Sequence, residues 1–374
     1  MTVCLRKRKT IASFETNSHN INLKSDKLMR HSIIRKSAFA LLMTIALLSP
    51  SMARASFTGG DVNMNKVTNI DDVTDLIKHL LNDDPFCWYY DINLDGCLNI
   101  SDVTCLINFL LTGEPDWPEY QGPPVPDNAQ VFTVNGVSFA MIPVEGGTFT
   151  MGNGTSYESR PPHEVTVSGF SLGQTEVTQR LWEAVMDSNP SQGWILIPWQ
   201  PVANLSWRDC QEFISRLNEL TGMEFHLPTE AQWEFAARGG NLSQGYRLAG
   251  TNSFDDIWWF GNLPIFQNNP NHQLIMTTPV GLKKPNELGF YDMSGNAAEY
   301  TLDGFTFYTS DPQTDPYIPW DGVHNTGVIV RGGCITDGTF CEVWNRYTQH
   351  PGAEYQSFGF RLALGGVVES TANY

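Results

Sequence analysis

The sequence predicts an α+β protein in two unequal parts: a small all-α module built on two calcium loops, then a large domain with little regular secondary structure. Three observations predict it. Segments 61–81 and 91–111 repeat one oxygen-ligand spacing and one apolar helix face. From residue 131 onward, short strand-like runs alternate with Gly, Pro and Asn turns, and few stretches have helical periodicity. Between the parts, residues 114–130 carry five prolines and no apolar period, which reads as a semi-extended linker.

The chain opens on a leader. An apolar run at 38–48 (AFALLMTIALL) follows Arg35 and Lys36 and precedes Ser-Pro and Ala53-Arg54-Ala55. It is too short to cross a bilayer and has the parts of a secretory signal, residues 1–55, cleaved after Ala55. A start at Met29 gives that signal an ordinary length. Export to the medium, the cell surface or the periplasm is expected, with no membrane span. The net charge is −17, and the leader holds ten Lys/Arg against two Asp/Glu, so the remainder stands at about −25. A surface that acidic repels phosphate backbones, which excludes nucleic acid as a partner and favours cations. Cys87, Cys97, Cys105, Cys210, Cys334 and Cys341 remain after cleavage, in a compartment that permits disulfides.

Residues 57–113 form the small module. Each loop reads D-x-N-x-[ND] and reaches Asp at its twelfth position, so Asp61, Asn63, Asn65 and Asp72 match Asp91, Asn93, Asp95 and Asp102. That spacing sets side-chain oxygens at loop positions suited to calcium, with a helix following. Gly96 permits the sharp turn at position six of the second loop; Lys66 stands there in the first, which should bind more weakly. The helix faces coincide as well: Val73, Leu76, Ile77, Leu80 and Leu81 match Val103, Leu106, Ile107, Leu110 and Leu111. The module resembles a dockerin, and the resemblance implies a cohesin-type protein partner. Dockerins carry a polar pair at positions ten and eleven; Ile70-Asp71 and Ile100-Ser101 depart from it, so a different cohesin specificity or packing on the chain itself is expected.

In the large domain, 131–365, the helical stretches are 176–186, 207–220 and 230–238. The last starts on a capping box, Thr229 with Gln232. Trp194, Trp199, Trp207, Trp233, Trp258 and Trp259 read as buried core before they read as a sugar platform, and Cys210 reads as a small core residue. His163 opens an alternating strand and reads as a strand-edge residue. Residues 366–374 form a tail.

The most informative stretch is 284–303, KPNELGFYDMSGNAAEYTLD, whose Asp–Gly–Asn–Glu cluster suits a hard cation or a solvated acidic turn. With 141–152 (MIPVEGGTFTMG), 225–240 (FHLPTEAQWEFAARGG), Arg331-Gly332-Gly333 and 358–362 (FGFRL), it forms an ordered series. That series resembles the formylglycine-generating enzyme family, the sulfatase-modifying factors. The resemblance implies a C-type-lectin-like fold whose loops are pinned by metal ions. It also implies one calcium site on the side chains of Asp292 and Glu299 and the carbonyls of Gly295 and Ala297, and a second beginning at Asp256 and Ile257.

The family's oxidase converts a sulfatase cysteine to formylglycine with copper and oxygen, using two thiolates five positions apart. Here Cys341 fits the second position, but Thr336 or Asp337 stands at the first, and Cys334 lies seven positions away. Two readings follow: a structural Cys334–Cys341 disulfide without copper, which is favoured, or Cys334 swinging round as the missing ligand. No zinc-protease, nucleophile-elbow or phosphate-loop motif occurs. The expected function is a calcium-stabilised module that binds a peptide or glycan in the large-domain groove. An active oxidase is the alternative, and a structural scaffold component is a further one.

Overall fold

The computed structural model describes residues 62, 69–82, 92, 98–112, 120, 122–154, 156–191, 198–257, 277–334 and 340–366. The leader, Asp61, Asn63, Asn65, Asp91, Asn93, Asp95, Cys87, Cys97, Trp194, Trp258, Trp259, Thr336 and Asp337 lie outside the described residues.

Helices α1 (Ile70–Leu81) and α2 (Ile100–Thr112) stand where the repeat places them and pack against each other. Val73, Leu76 and Ile77 are buried, as are Val103, Leu106 and Ile107. The expected face stops short at its end, where Leu111 is exposed. Asp72 and Asp102 are fully buried, and each carboxylate accepts a backbone N–H three residues back, from Asn69 at 2.7 Å and Asn99 at 2.8 Å. These bonds hold the loop exit against the positive helix end.

Three sheets build the large domain. Strands β1 (Gln130–Val134), β2 (Val137–Val144), β5 (Phe170–Gly173), β12 (Ala363–Leu364) and β6 (Phe225–His226) form the first, in the spatial order β1-β2-β5-β12-β6. Strands β10 (Arg346–Gln349), β9 (Val328–Arg331), β7 (Ala298–Gly304) and β11 (Phe358–Gly359) form the second, in that order. The third is β3 (Gly147–Met151), β4 (His163–Val167) and β8 (Gln313–Thr314). Pairing is antiparallel except for β11 on β7 and β8 on β4. Such short strands leave much of the chain in loops, and buried side chains must hold those loops.

Three helices cover the sheets. Helix α3 (Gln179–Met186) begins later than the periodicity predicts. Thr178 caps it, and the preceding Val177 is drawn into strand-like bonds with Phe360 and Val202, which pulls Glu176 out of the helix. Helix α4 (Trp207–Thr221) starts on a Ser206–Asp209 capping box and stops at left-handed Gly222. Helix α5 (Glu230–Ala237) has the predicted Thr229–Gln232 box and is buried all round.

One core cluster gathers α3, α4 and the second sheet around Trp182, Phe213, Tyr300 and Phe360; it includes Cys210, as expected. A second lies under α5 around Trp233, Phe235, Phe290 and Met293. Trp233 is core, as predicted, whereas Trp199 and Trp207 are half-buried. His163 corrects the sequence reading. It opens the central strand of its sheet and is buried, with the Tyr308 ring 4.7 Å away covering it. No helix among the described residues is long and apolar enough to cross a membrane.

Candidate functional site

The loop leading into β7 is folded by backbone conformations that few residues tolerate. Asp292, Gly295 and Asn296 have φ of 59°, 97° and 58°, which fits the Asp, Gly and Asn found there. Each polar side chain then pins the loop to a different neighbour. Asp292 Oδ2 accepts the Gly281 N–H at 2.6 Å. Ser294 Oγ donates to the Cys341 carbonyl at 2.8 Å, and Asn296 Oδ1 accepts the Thr278 N–H at 2.8 Å. The loop thus ties the cation-type cluster to the cysteine-bearing segment.

Glu299 is fully buried and heavily engaged. Its Oε1 accepts Arg361 Nη2 at 2.6 Å; its Oε2 accepts Arg361 Nε at 2.6 Å and Trp233 Nε1 at 2.7 Å. A carboxylate oxygen holding two such bonds has little left for a metal. Of the ligand set implied by the resemblance, Asp292 is buried in the loop with one oxygen on the Gly281 N–H, while Glu299 serves Arg361. Asp256 and Ile257 approach the same loop, the Ile257 carbonyl lying 3.7 Å from the Cβ position of Gly295. Asp256 accepts Thr251 Oγ1 at 2.9 Å and pairs with Lys284 at 3.2 Å, and these bonds hold its carboxyl below the ordinary range.

Glu176 escaped the sequence reading altogether. It is buried at 2 % exposure beside this loop, with Oε1 3.4 Å from the Ala297 N–H. Desolvation, then the charge of Asp292, pushes it well above the usual carboxylate range. Burial likewise raises Asp292, to about 6. Glu176 also lines a cavity of about 290 Å³ with Gln174, Thr178, Arg180 and Trp199. Its wall includes Gly122 and Pro123, so the linker is seated here: Tyr120 donates to the Val280 carbonyl at 2.5 Å, and Gln174 donates to the Pro124 carbonyl at 2.8 Å. No sequence spacing connects Glu176 to Asp292; only the fold does.

A second buried charge cluster was equally invisible. Glu230 accepts from Arg331 at 3.0 Å and from two nitrogens of Arg346 at 2.6 Å, while Glu234 accepts from Arg331 at 2.5 Å and Arg238 at 2.8 Å. Asp303 receives the Glu230 and Ile318 N–H groups at 2.7 and 2.9 Å, and burial lifts its carboxyl to about 7. The i, i+4 glutamates of α5 were the one available hint.

The cysteines correct the favoured disulfide. Cys334 and Cys341 are carried as separate buried thiols. Their backbones do approach: Cys341 Sγ lies 2.9 Å from where a Cβ on Gly333 would stand. Cys334 packs into the core cluster with Val330 and Tyr300, which directs it inward. A Cu(I) centre needs two accessible sulfurs opposed across the metal. Cys334 stands seven positions from Cys341, where the family's pair implies five. Beside Cys341, aromatic rings run in contact from half-exposed Phe340 through Tyr347 and Phe358 to Tyr355, at centroid distances of 5.8, 5.9 and 4.6 Å.

Comparison with known proteins agrees with this frame. The sulfatase-modifying factor enzyme 1-like domain matches residues 129–365. The chain is 32% identical over 244 residues to the chaperone protein LppX of Paenibacillus barcinonensis, covering 53% of this chain and 79% of that protein. It is 30% identical over 176 residues to the formylglycine-generating enzyme of Streptomyces coelicolor, covering 44% of this chain and 53% of the enzyme. Among solved structures, Treponema denticola variable protein 1 superposes with a TM-score of 0.55 at 28% identity, covering 64% of this chain and 99% of that one. The chain belongs to the sulfatase-modifying factor family.

Proposed function

We propose that this protein is an exported, calcium-stabilised member of the family that binds a peptide or glycan without oxidising it. The observation that carries this is the contrast between an intact family frame and an altered thiol spacing: Arg361, Glu299 and Trp233 interlock, while Cys334 stands seven positions from Cys341 and not five. The aromatic row from Phe340 to Tyr355 supplies a binding surface of the kind that grips apolar side chains or sugar faces. Two relatives with substantial coverage carry names other than oxidase, and one is called a chaperone, which supports polypeptide as the ligand class. The small module tethers the protein to a cohesin-type partner through its two calcium-loaded loops.

The test is incubation with Cu(I), oxygen and a peptide containing Cys-x-Pro-x-Arg. The expected outcome is no loss of mass at the peptide cysteine, with binding that weakens in Tyr355→Ala. Mass loss abolished by Cys341→Ser would establish the oxidase instead. That second reading draws on one observation, the packing of Cys341 Sγ over Gly333, the residue next to Cys334.

A further inference from the structure

The cavity beside the linker carries one cation. Its charged wall residues are Glu176 and Arg180. Glu176 sends its carboxyl toward the loop before β7, where Oε1 lies 3.4 Å from the Ala297 N–H. The charges that act on it there, Asp292, Arg361 and Glu299, are not part of the cavity wall. Arg180 is left as the charge of the cavity. Among the described residues no carboxylate comes within ion-pairing distance of it, although acidic residues outnumber basic ones 40 to 23 in the chain.

The guanidinium is held in a fixed plane. The N–H groups of Gln179 and Arg180 donate to the carbonyls of Gln200 and Pro198, at 2.9 and 3.0 Å, which sets Trp199 beside the start of α3. Arg180 stacks over the Trp199 ring, 4.4 Å from its centroid. The linker in turn fixes Trp199. Tyr120 meets the ring edge-on at 5.5 Å, and Gly122, at φ +82°, comes so near that a Cβ would stand 2.6 Å from it. Gln174 binds the Pro124 carbonyl and so holds Gly122, Pro123 and Val125 across the cavity as one wall. Apolar side chains, Val131, Phe139, Met141, Leu181 and Leu362, contribute to the rest.

We propose that this cavity binds a small amphipathic carboxylate, with Arg180 as its anchor and the Phe139–Met141–Leu362 wall against its apolar body. A single guanidinium matches one negative charge, and its planar fork matches the two oxygens of a carboxylate. A phosphate dianion would meet only half the charge it needs. The volume, about 290 Å³, falls at the small end of ligand pockets, which run from about 300 to 1,000 Å³. The carboxylate is that of a free small acid or that of a polypeptide C-terminus; both offer the same two oxygens on an apolar body. The site is separate from the aromatic row, none of whose four rings lines it.

The experiment is calorimetric titration of the full chain, with thermal melts, against benzoate, benzamide, inorganic phosphate, and an acetylated tripeptide ending in leucine as the free acid and as the amide. Benzoate is expected to bind and to raise the melt, and benzamide and phosphate to do neither. Arg180→Met should weaken benzoate at least about tenfold, the loss of one charged hydrogen-bonding partner. Arg180→Lys keeps the charge without the fork and should fall between that variant and wild type. Competition with benzoate by the free-acid peptide and not by the amide would identify a chain terminus as the ligand; benzoate binding alone would identify a free acid. Benzamide binding as well as benzoate, phosphate binding better, or equal benzoate affinity in wild type and Arg180→Met would each overturn the proposal. So would a wild type that binds neither benzoate nor the free-acid peptide. If neither Arg180 variant folds, the guanidinium belongs to the fold and the proposal fails on that ground.

Discussion

Two buried charge clusters, interleaved along the chain, are built on opposite principles. Around α5, Glu230 and Glu234 face Arg331, Arg346 and Arg238, and both glutamates meet guanidinium groups. Around Arg361, Glu299 takes the whole cation and leaves Glu176 and Asp292 outside the pairing. The first cluster is a closed frame that joins α5 to two strands of the second sheet. The second leaves two buried carboxyls without a guanidinium of their own, and burial raises both above the usual carboxylate range.

The largest effect should come from breaking the closed frame. Arg331→Met strips both Glu230 and Glu234 of a buried partner, and removing one side of such a network costs about 3–5 kcal/mol; a loss of that size in urea unfolding would bear it out. Next comes the turn beneath Cys341. Gly333 has φ +66°, and a Cβ there would stand 2.8 Å from the Phe340 carbonyl carbon. Gly333→Ala should therefore cost about 1–3 kcal/mol and loosen the aromatic row, read as weaker peptide binding. A cap change is smaller: Thr178→Ala removes the α3 cap for about 1 kcal/mol, and a thermal melt resolves it.

The subtlest prediction concerns pH. Asp303 has a folded pKa raised to about 7 from 3.8, so the folded state holds its proton more tightly than the unfolded state. Its contribution to stability is complete below the unfolded value and is lost as pH rises through about 7. Asp303→Asn should flatten the wild-type difference in urea midpoint between pH 5 and pH 8. An unchanged difference would show that the cluster balances its own charge without that proton.

The comparison also separates what could be read from the chain and what could not. The capping boxes at Thr229 and Ser206, the repeat that places α1 and α2, and the core role of Trp233 and Cys210 rest on neighbours close in sequence. The start of α3 was misplaced because Val177 answers to Phe360 and Val202, which no local pattern reports. His163 differs for the same reason, since the Tyr308 ring arrives from far along the chain to cover it.

The sequence by itself determined the two helices of the repeat, the family frame and the shortfall of the thiol spacing, because helix periodicity, turn chemistry and motif order act over a few residues. The tertiary structure alone decided which carboxylates are neutralised. Glu299 and Arg361 are 62 residues apart, and Ala297 and Glu176 are 121 apart. Charge is balanced in space, and partners that meet only after folding leave no periodic mark in the chain.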